Sequence, residues 1–223
     1  MIDTPRIEIF RDPAAVAQRA AEVVAEHACT AVAERGAFTF AVSGGRTPWA
    51  MFAELAREDF PWSQTAIYQV DERVAPAGDP NRNLTHLQES LPASALSCVR
   101  AMPVEDADLD GAADLYARSL PDRFDLIHLG LGPDGHTASL VPGDPVLDVA
   151  DRDVALTRTY MGHRRMTITY PVIDRARALL WLVTGSDKLD ALRRLREGDD
   201  SIPAGRVESG QALVLADTAA AGH

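Results

Sequence analysis

Residues 129–145 (LGLGPDGHTASLVPGDP) place an acid, a glycine and a histidine side by side directly after an apolar run. An imidazole can take a proton from water and later return it to a leaving group, and a nearby carboxylate can orient the ring. Asp134 and His136 are therefore candidates for a general base and its orienting carboxylate. Asp-Gly is also a common turn pair, so a purely structural turn is the alternative for this segment taken alone.

A glycine-rich loop at residues 43–48 (SGGRTP) is a candidate anion site. Gly44 and Gly45 let the backbone turn tightly and approach a ligand, and Thr47 is the predicted N-cap of a following helix. The free N–H groups at a helix start attract anions, so the loop predicts a phosphate site, with a structural strand-to-helix turn as the alternative. It matches neither a Walker A loop nor Gly-x-Gly-x-x-Gly. Ser43 lacks a Gly-x-Ser-x-Gly elbow, so we expect its hydroxyl to donate to phosphate rather than to act as a covalent nucleophile.

Charged side chains follow two more apolar runs, at residues 71–73 (DER) and 186–188 (SDK). An acid-acid-base triplet is usually a solvated loop with a local ion pair. A lysine in the first turn of a helix is disfavoured by the helix dipole unless an anion lies nearby, although an exposed surface lysine is the default. Each pattern is weak by itself, and the four segments together favour a site if they meet in space.

The elements that would position these residues alternate between strands and helices. The apolar and periodic patterns predict strands at residues 6–10, 37–42, 66–70, 124–132, 166–170, 178–185 and 212–216, and helices at 13–35, 49–57, 111–118 and 187–197. Continuous apolar strands separated by helices indicate a largely parallel sheet that is covered on both faces. Ligands of such sheets bind beyond the carboxyl ends of the strands, so the four segments are expected at one edge.

Bulk properties limit the class of protein. A chain of 223 residues suits one α/β domain over 1–223. The net charge of −11 argues against nucleic-acid or anionic-membrane partners, while a locally positive pocket could still bind a small phosphorylated substrate. Cys29 and Cys98 form no Cys-x-x-Cys pair, which argues against a zinc site or a disulfide framework. With no signal-peptide pattern and no apolar run near the roughly 20 residues of a membrane span, we expect a cytoplasmic protein.

Six segments in this order, SGGRTP, DERVAP, NRN, LGLGPDGHTASLVPG, RRMTITYP and TGSDK, resemble the 6-phosphogluconolactonase family. That family lies within the superfamily that also holds the glucosamine-6-phosphate deaminases, and GPDGHTASLVPG is the most specific segment. The resemblance implies a Rossmann-like α/β fold, a mostly parallel sheet with helices on both faces. It also implies hydrolysis of 6-phospho-D-glucono-1,5-lactone to 6-phosphogluconate in the oxidative pentose phosphate pathway, without a metal or organic cofactor. We expect a monomer or a weak dimer.

The resemblance also implies roles for individual residues. His136 would activate water and then protonate the departing ring oxygen, and Asp134 would hold the imidazole or a nearby water. The substrate and its phosphate would be bound by Ser43, Gly44, Gly45, Thr47, Asp71, Arg73, Arg165 and Lys188. Adjacent Arg164 and Arg165 must face opposite sides of a strand, and the family pattern places its arginine directly before the hydrophobic-Thr pair, which selects Arg165.

Two other functions compete with the lactonase. The deaminases carry a glutamate five residues after the histidine, and here that position is Val141, which cannot transfer protons. They also favour Asp-Glu-Tyr where this chain has residues 71–73 (DER). The remaining alternative is a non-catalytic protein that binds a sugar phosphate, since a fold alone does not fix an activity.

Overall fold

The computed structural model describes residues 5–208 and 211–222, and its strands and helices alternate over most of that length. The strands are β1 (Arg6–Phe10), β2 (Phe38–Val42), β3 (Thr65–Gln69), β4 (Asp71–Arg73), β5 (Val99–Arg100), β6 (Leu126–Gly130), β7 (Val154–Leu156), β8 (Arg165–Ile168), β9 (Leu179–Val183) and β10 (Ala212–Asp217). The helices are α1 (Pro13–Arg35), α2 (Arg46–Leu55), α3 (Asn83–Ser90), α4 (Leu109–Ser119), α5 (Tyr170–Asp174), α6 (Leu189–Glu197) and α7 (Thr218–Ala221).

Seven strands form one sheet in the order β1-β10-β9-β6-β2-β3-β5, and every neighbouring pair is parallel. The expected mostly parallel α/β architecture is therefore confirmed. The four strands that precede the motif segments are β9, β6, β2 and β3, which are consecutive neighbours in the sheet. Their carboxyl ends consequently lie side by side at one edge.

A second, smaller sheet was not predicted. It contains three short antiparallel strands in the order β4-β8-β7. The strand expected at residues 166–170 is β8, which therefore lies outside the parallel sheet. Val70 connects the two sheets, because its N–H donates to Val42 in the large sheet and its carbonyl accepts from Ile168 in the small one.

The large sheet separates two apolar clusters, one on each face. Along β9 the side chains alternate: Trp181 belongs to one cluster, and Leu180 and Leu182 belong to the other. All five residues of β9 are buried, as expected for a central strand covered by helices on both faces.

Helix α1 has the bounds that the sequence predicts, because both of its ends are local. The carboxylate of Asp12 accepts from the Ala15 N–H at 2.8 Å, Pro13 occupies the first helical position, and Gly36 ends the helix with a left-handed φ of 78°. None of the described helices is long and apolar enough to cross a membrane.

Two helix starts differ from the prediction. Helix α2 begins at Arg46 with Gly45 as its N-cap, so the expectation that Thr47 caps a helix starting near residue 49 is wrong. The Thr47 hydroxyl instead forms a hydrogen bond of 3.0 Å with the Thr184 hydroxyl, a tertiary partner that competes with local capping. Residues 186–188 form a separate 3-10 turn, so the helix expected from 187 begins at Leu189.

Candidate functional site

A cavity of about 160 Å³ lies at the carboxyl ends of the central strands. Seven of the ten residues that the sequence singles out line it: Ser43, Gly44, Asp71, Arg73, His136, Arg165 and Lys188. The cavity is also lined by Asn83, Gly130, Leu131, Gly132 and Ala138. Gly45, Thr47 and Asp134 do not line the cavity. All four motif segments contribute to this one site.

The imidazole of His136 and the carboxylate of Asp134 are in direct contact. Nδ1 of His136 lies 2.6 Å from Oδ1 of Asp134. That hydrogen bond is the largest cause that holds the pKa of Asp134 well below its usual range, so the carboxylate is ionised and can only accept. Nδ1 therefore carries the proton in the neutral ring, which leaves the Nε2 lone pair free to accept one. None of the described residues forms a hydrogen bond with Nε2.

A tight turn brings Asp134 and His136 together, so the structural turn and the acid-base pair, offered above as alternatives, are both present in this segment. The Gly132 N–H donates to the His136 carbonyl at 2.8 Å, and the Gly135 N–H donates to the Gly132 carbonyl at 3.0 Å. Gly135 has a φ of 82°, a conformation that favours glycine. A Cβ at Gly132 would overlap the His136 ring, so the ring can reach this position only because residue 132 has no side chain.

The glycine-rich loop approaches the cavity through Ser43 and Gly44. The Ser43 N–H donates to Nδ1 of His128 at 3.2 Å, and burial lowers the pKa of His128 to about 3, so that ring is neutral and can accept. The Ser43 side-chain hydroxyl is buried and has no partner among the described residues. A buried donor without a partner at the cavity is suited to a ligand oxygen.

Three cations and one carboxylate line the cavity. Nη1 of Arg73 donates to Oδ1 of Asn83 at 2.8 Å. Arg165 is 5% exposed, its Nη1 lies 3.9 Å from Oδ2 of Asp71, and its Nε has no partner among the described residues. Burial lowers the pKa of the Arg165 guanidinium, while the charge of Asp71 opposes that change. Nζ of Lys188 lies 3.0 Å from the more exposed Asp187 carboxylate. The cavity is thus locally positive in an acidic chain.

The triplet at residues 71–73 is buried and structured rather than a solvated loop. Asp71 accepts from the Ser139 hydroxyl at 2.6 Å and from the Asn83 side chain at 3.2 Å. Glu72 is fully buried, and its carboxylate accepts from the backbone N–H groups of Asn83 and Leu84 at 2.8 Å each. Glu72 therefore caps helix α3 and fixes Asn83 beside Asp71 and Arg73.

A sequence model described as "Glucosamine-6-phosphate isomerases/6-phosphogluconolactonase" matches residues 11–216. The chain belongs to this family.

The relatives of the chain in this family include proteins named 6-phosphogluconolactonase. One from Synechocystis sp. is 35% identical over 204 residues, which cover 84% of this chain and 83% of that protein. One from Streptomyces coelicolor is 33% identical over 248 aligned residues, which cover 99% of this chain and 95% of that protein. The crystal structure of a 6-phosphogluconolactonase from Shewanella baltica is 27% identical, with a TM-score of 0.87 over 97% of this chain and 99% of that chain.

Val141 occupies the position that separates the lactonase interpretation of the sequence from the deaminase interpretation. The side chain is 4% exposed, and it does not line the cavity. A buried aliphatic group cannot exchange protons with a bound sugar, so this position supplies no second acid beside His136.

Two residues at the site were not singled out as functional by the sequence. Asn83 lies in the NRN segment, but its role depends on Glu72 starting helix α3, a long-range contact that the sequence does not reveal. Tyr160 donates its hydroxyl to Oδ2 of Asp134 at 3.0 Å. It lies between two predicted strands, and nothing in its sequence neighbourhood marks it.

Proposed function

We propose that this protein hydrolyses 6-phospho-D-glucono-1,5-lactone to 6-phospho-D-gluconate. The family match and the identity to proteins named 6-phosphogluconolactonase over most of the chain support the activity. The single observation that carries the chemistry is the shared cavity. The imidazole of His136, oriented by Asp134, opens onto the same space as Ser43, Gly44 and the three cations.

The cations and the glycine-rich loop would bind the phosphate, which is remote from the reacting carbon. Ser43 and Gly44 would contact it directly, and Gly45 and Thr47 would act by shaping the start of helix α2, whose N–H groups favour anions. Arg165 and Lys188 supply charge, and charge-assisted hydrogen bonds of this kind contribute about 1.5–3 kcal/mol each. This binding energy serves to orient the lactone at the other end of the cavity.

The reaction needs one group that first accepts and then donates a proton. Nε2 of His136 takes a proton from water as the water oxygen attacks the lactone carbonyl carbon, and a tetrahedral oxyanion forms. When the bond to the ring oxygen breaks, the imidazolium returns the proton to that oxygen, and the product carboxylic acid then ionises. Asp134 stabilises the imidazolium between the two steps, and Arg73 contacts the substrate at its phosphate or at its carbonyl oxygen.

Replacing His136 tests this proposal. We expect His136→Ala to lower kcat by about 100- to 10,000-fold with little change in KM, because the acid-base step is lost and the phosphate contacts remain. The assay uses freshly generated lactone coupled to oxidation of the product, with spontaneous hydrolysis subtracted. His27→Ala, a half-buried histidine on α1 that does not line the cavity, is the matched control. Unchanged turnover in His136→Ala would rule out the role.

The competing functions give different signals in the same preparation. A deaminase would release ammonia from glucosamine 6-phosphate, and a non-catalytic protein would bind 6-phosphogluconate without consuming the lactone.

The proposal also includes the setting of the protein. We propose that it acts in the oxidative pentose phosphate pathway, in the cytoplasm, as a monomer or weak dimer, and without nucleic-acid or membrane partners. The net charge of −11 supports the last point.

We also propose that the activity needs no metal ion. Across residues 5–208 and 211–222, no group of three or more His, Cys, Asp or Glu side chains has a geometry that could hold one. We therefore expect activity to be unchanged after dialysis against EDTA, measured by the same coupled assay. A loss that Mg²⁺ or Zn²⁺ restores would contradict this.

A further inference from the structure

The side chain of Tyr160 contacts the acid-base pair and the guanidinium of Arg165, but it does not line the cavity. We propose that Tyr160 is a positioning residue: its hydroxyl fixes Asp134, and through Asp134 the tautomer of His136, while its ring supports the guanidinium of Arg165. This inference rests on the proposed function, because it assigns Tyr160 a task in that reaction.

The hydroxyl of Tyr160 completes the hydrogen bonding of the Asp134 carboxylate. Oδ1 of Asp134 accepts from Nδ1 of His136 at 2.6 Å, and Oδ2 accepts from the Tyr160 hydroxyl at 3.0 Å. With a donor on each oxygen, the carboxylate cannot rotate without breaking one of the two bonds. Burial and the bond to Asp134 both raise the pKa of Tyr160, so the phenol keeps its proton and remains a donor.

The ring of Tyr160 contacts two further site residues. It packs edge-on against the His136 ring, with centroids 5.5 Å apart. The guanidinium carbon of Arg165 lies 5.1 Å from the centre of the Tyr160 ring, within the range of a cation–π interaction. One side chain therefore connects the acid-base pair to a cation proposed to bind the substrate.

The backbone around Tyr160 is well suited to hold it in place. The Tyr160 N–H donates to the His163 carbonyl at 2.9 Å, and the His163 N–H donates back at 3.2 Å. Between them, Met161 and Gly162 have φ angles of 48° and 84°, as in the two-residue turns that close β-hairpins. The hairpin connects β7 to β8, so Tyr160 and Arg165 are placed by the same short unit.

Other charges surround the imidazole, and Tyr160→Phe removes none of them. Asp71 and Arg73 lie on β4, Arg165 on β8 and Lys188 in the turn before α6. Among the described side chains, Asp134 alone forms a hydrogen bond of normal length with the ring, and the Tyr160 hydroxyl lies 3.5 Å from Nδ1. A change in His136 behaviour on loss of the hydroxyl would therefore be transmitted through Asp134.

Two substitutions separate the hydroxyl from the ring. In Tyr160→Phe the Asp134 carboxylate loses one of the two bonds that hold it and can rotate away from Nδ1, so the imidazolium is stabilised less. We expect the acid limb of kcat/KM to move to lower pH, kcat to fall about 3- to 10-fold, and KM to stay unchanged. In Tyr160→Leu the ring is also lost, and we expect KM to rise about 3- to 10-fold because Arg165 loses its aromatic partner.

The controls distinguish positioning from general stability. Tyr170→Phe removes the hydroxyl of another partly buried tyrosine, which donates to the Pro203 carbonyl away from the cavity, and should leave the pH profile unchanged. Nitrogen-15 NMR of the His136 ring provides a readout that needs no substrate: one neutral tautomer in the wild type, and a mixture in Tyr160→Phe.

The possible outcomes separate the two proposals. An acid limb and a tautomer ratio that are both unchanged in Tyr160→Phe would overturn the positioning role, even if the protein is an active lactonase. A wild-type protein without lactonase activity would overturn the proposed function, while the NMR comparison would still decide whether Tyr160 controls His136. A shifted limb together with a mixed tautomer supports the inference.

Discussion

At the residue scale, the carboxylate of Asp134 determines which nitrogen of His136 can react. An ionised carboxylate accepts only, so in the neutral ring the proton lies on Nδ1, 2.6 Å from Oδ1 of Asp134, and Nε2 carries the free lone pair. The backbone N–H of His136 also points to the same oxygen, at 3.2 Å. The contact between Asp134 and His136 is therefore made within one turn, while the second carboxylate oxygen accepts from Tyr160 in the distant hairpin.

An amide at position 134 should disturb the tautomer while keeping the shape. In Asp134→Asn the side-chain NH₂ can donate to Nδ1, which favours the ring with its proton on Nε2. We expect kcat to fall about 100- to 10,000-fold with KM nearly constant. Asp190→Asn, an exposed carboxylate on α6, is the control in the same coupled assay. A KM effect without a kcat effect would contradict the assignment.

Arg164 and Arg165 form a matched pair in sequence with opposite positions in space. Arg165 is buried and lines the cavity, whereas Arg164 is exposed. Arg165→Gln should raise KM about 10- to 100-fold, because one charge-assisted contact of about 1.5–3 kcal/mol is lost. Arg164→Gln should leave KM unchanged. Equal effects of the two substitutions on KM would remove Arg165 from the substrate site.

At the element scale, the site depends on where strand β6 ends. Gly130 is the last residue of the strand and Gly132 lies two residues beyond it, and both line the cavity. A Cβ at Gly132 would overlap the His136 ring, while one at Gly130 meets no atom within 4 Å. A residue without a side chain is therefore required at position 132, where the imidazole packs against the backbone, but not at position 130.

Gly132→Ala should displace the His136 ring and lower kcat, whereas Gly130→Ala should not displace it. The difference is best measured by NMR of the ring protons of His136, which reports its environment independently of any substrate. Thermal unfolding of both variants checks that they fold. If Gly132→Ala leaves the His136 signals unchanged, the close packing of ring against backbone is wrong.

At the scale of the whole molecule, one carboxylate makes stability depend on pH. Asp174 lies at the end of α5, and burial raises its pKa to about 6, against 3.8 for an ordinary aspartate. The folded state therefore binds this proton more tightly than the unfolded state. The contribution of Asp174 is most favourable below pH 3.8 and is lost as the pH rises from 3.8 through about 6.

Asp174→Asn should remove this dependence. Its Oδ1 can still accept from the Glu208 N–H, a bond of 3.0 Å in the wild type. Because the group is partly exposed, we expect the variant to be more stable than wild type by about 1–2 kcal/mol at pH 7, with no difference at pH 3. Urea unfolding at the two pH values measures it. A stability difference that is the same at both pH values would contradict the raised pKa of Asp174.

The sequence predicts those features whose causes are local, and it misses those set by distant contacts. The predicted bounds of helix α1 are confirmed, and the structure shows that the residues which set its two ends, Asp12 and Gly36, directly flank it. The predicted start of α2, with Thr47 as its N-cap, is wrong because the Thr47 hydroxyl bonds to Thr184, far along the chain.

The same distinction holds for the site and for the small sheet. The segments around Ser43 and His136 stand out by their residue types, whereas Tyr160 meets Asp134 across 26 residues. Strands β4 and β7 have three residues each, too few to show a period.

The division of the cavity between two sheets has a consequence for how the protein loses activity. Arg73, Tyr160 and Arg165 come from the short strands and the hairpin of the small sheet, whereas β9 lies fully buried in the large one. All four residues of β8 are buried too, but its partners β4 and β7 are edge strands of three residues each, and short edge strands open more readily than the centre of a long sheet. In rising urea, catalysis should therefore fade before the far-ultraviolet circular dichroism changes, and backbone amides of β7 should exchange with deuterium sooner than those of β9.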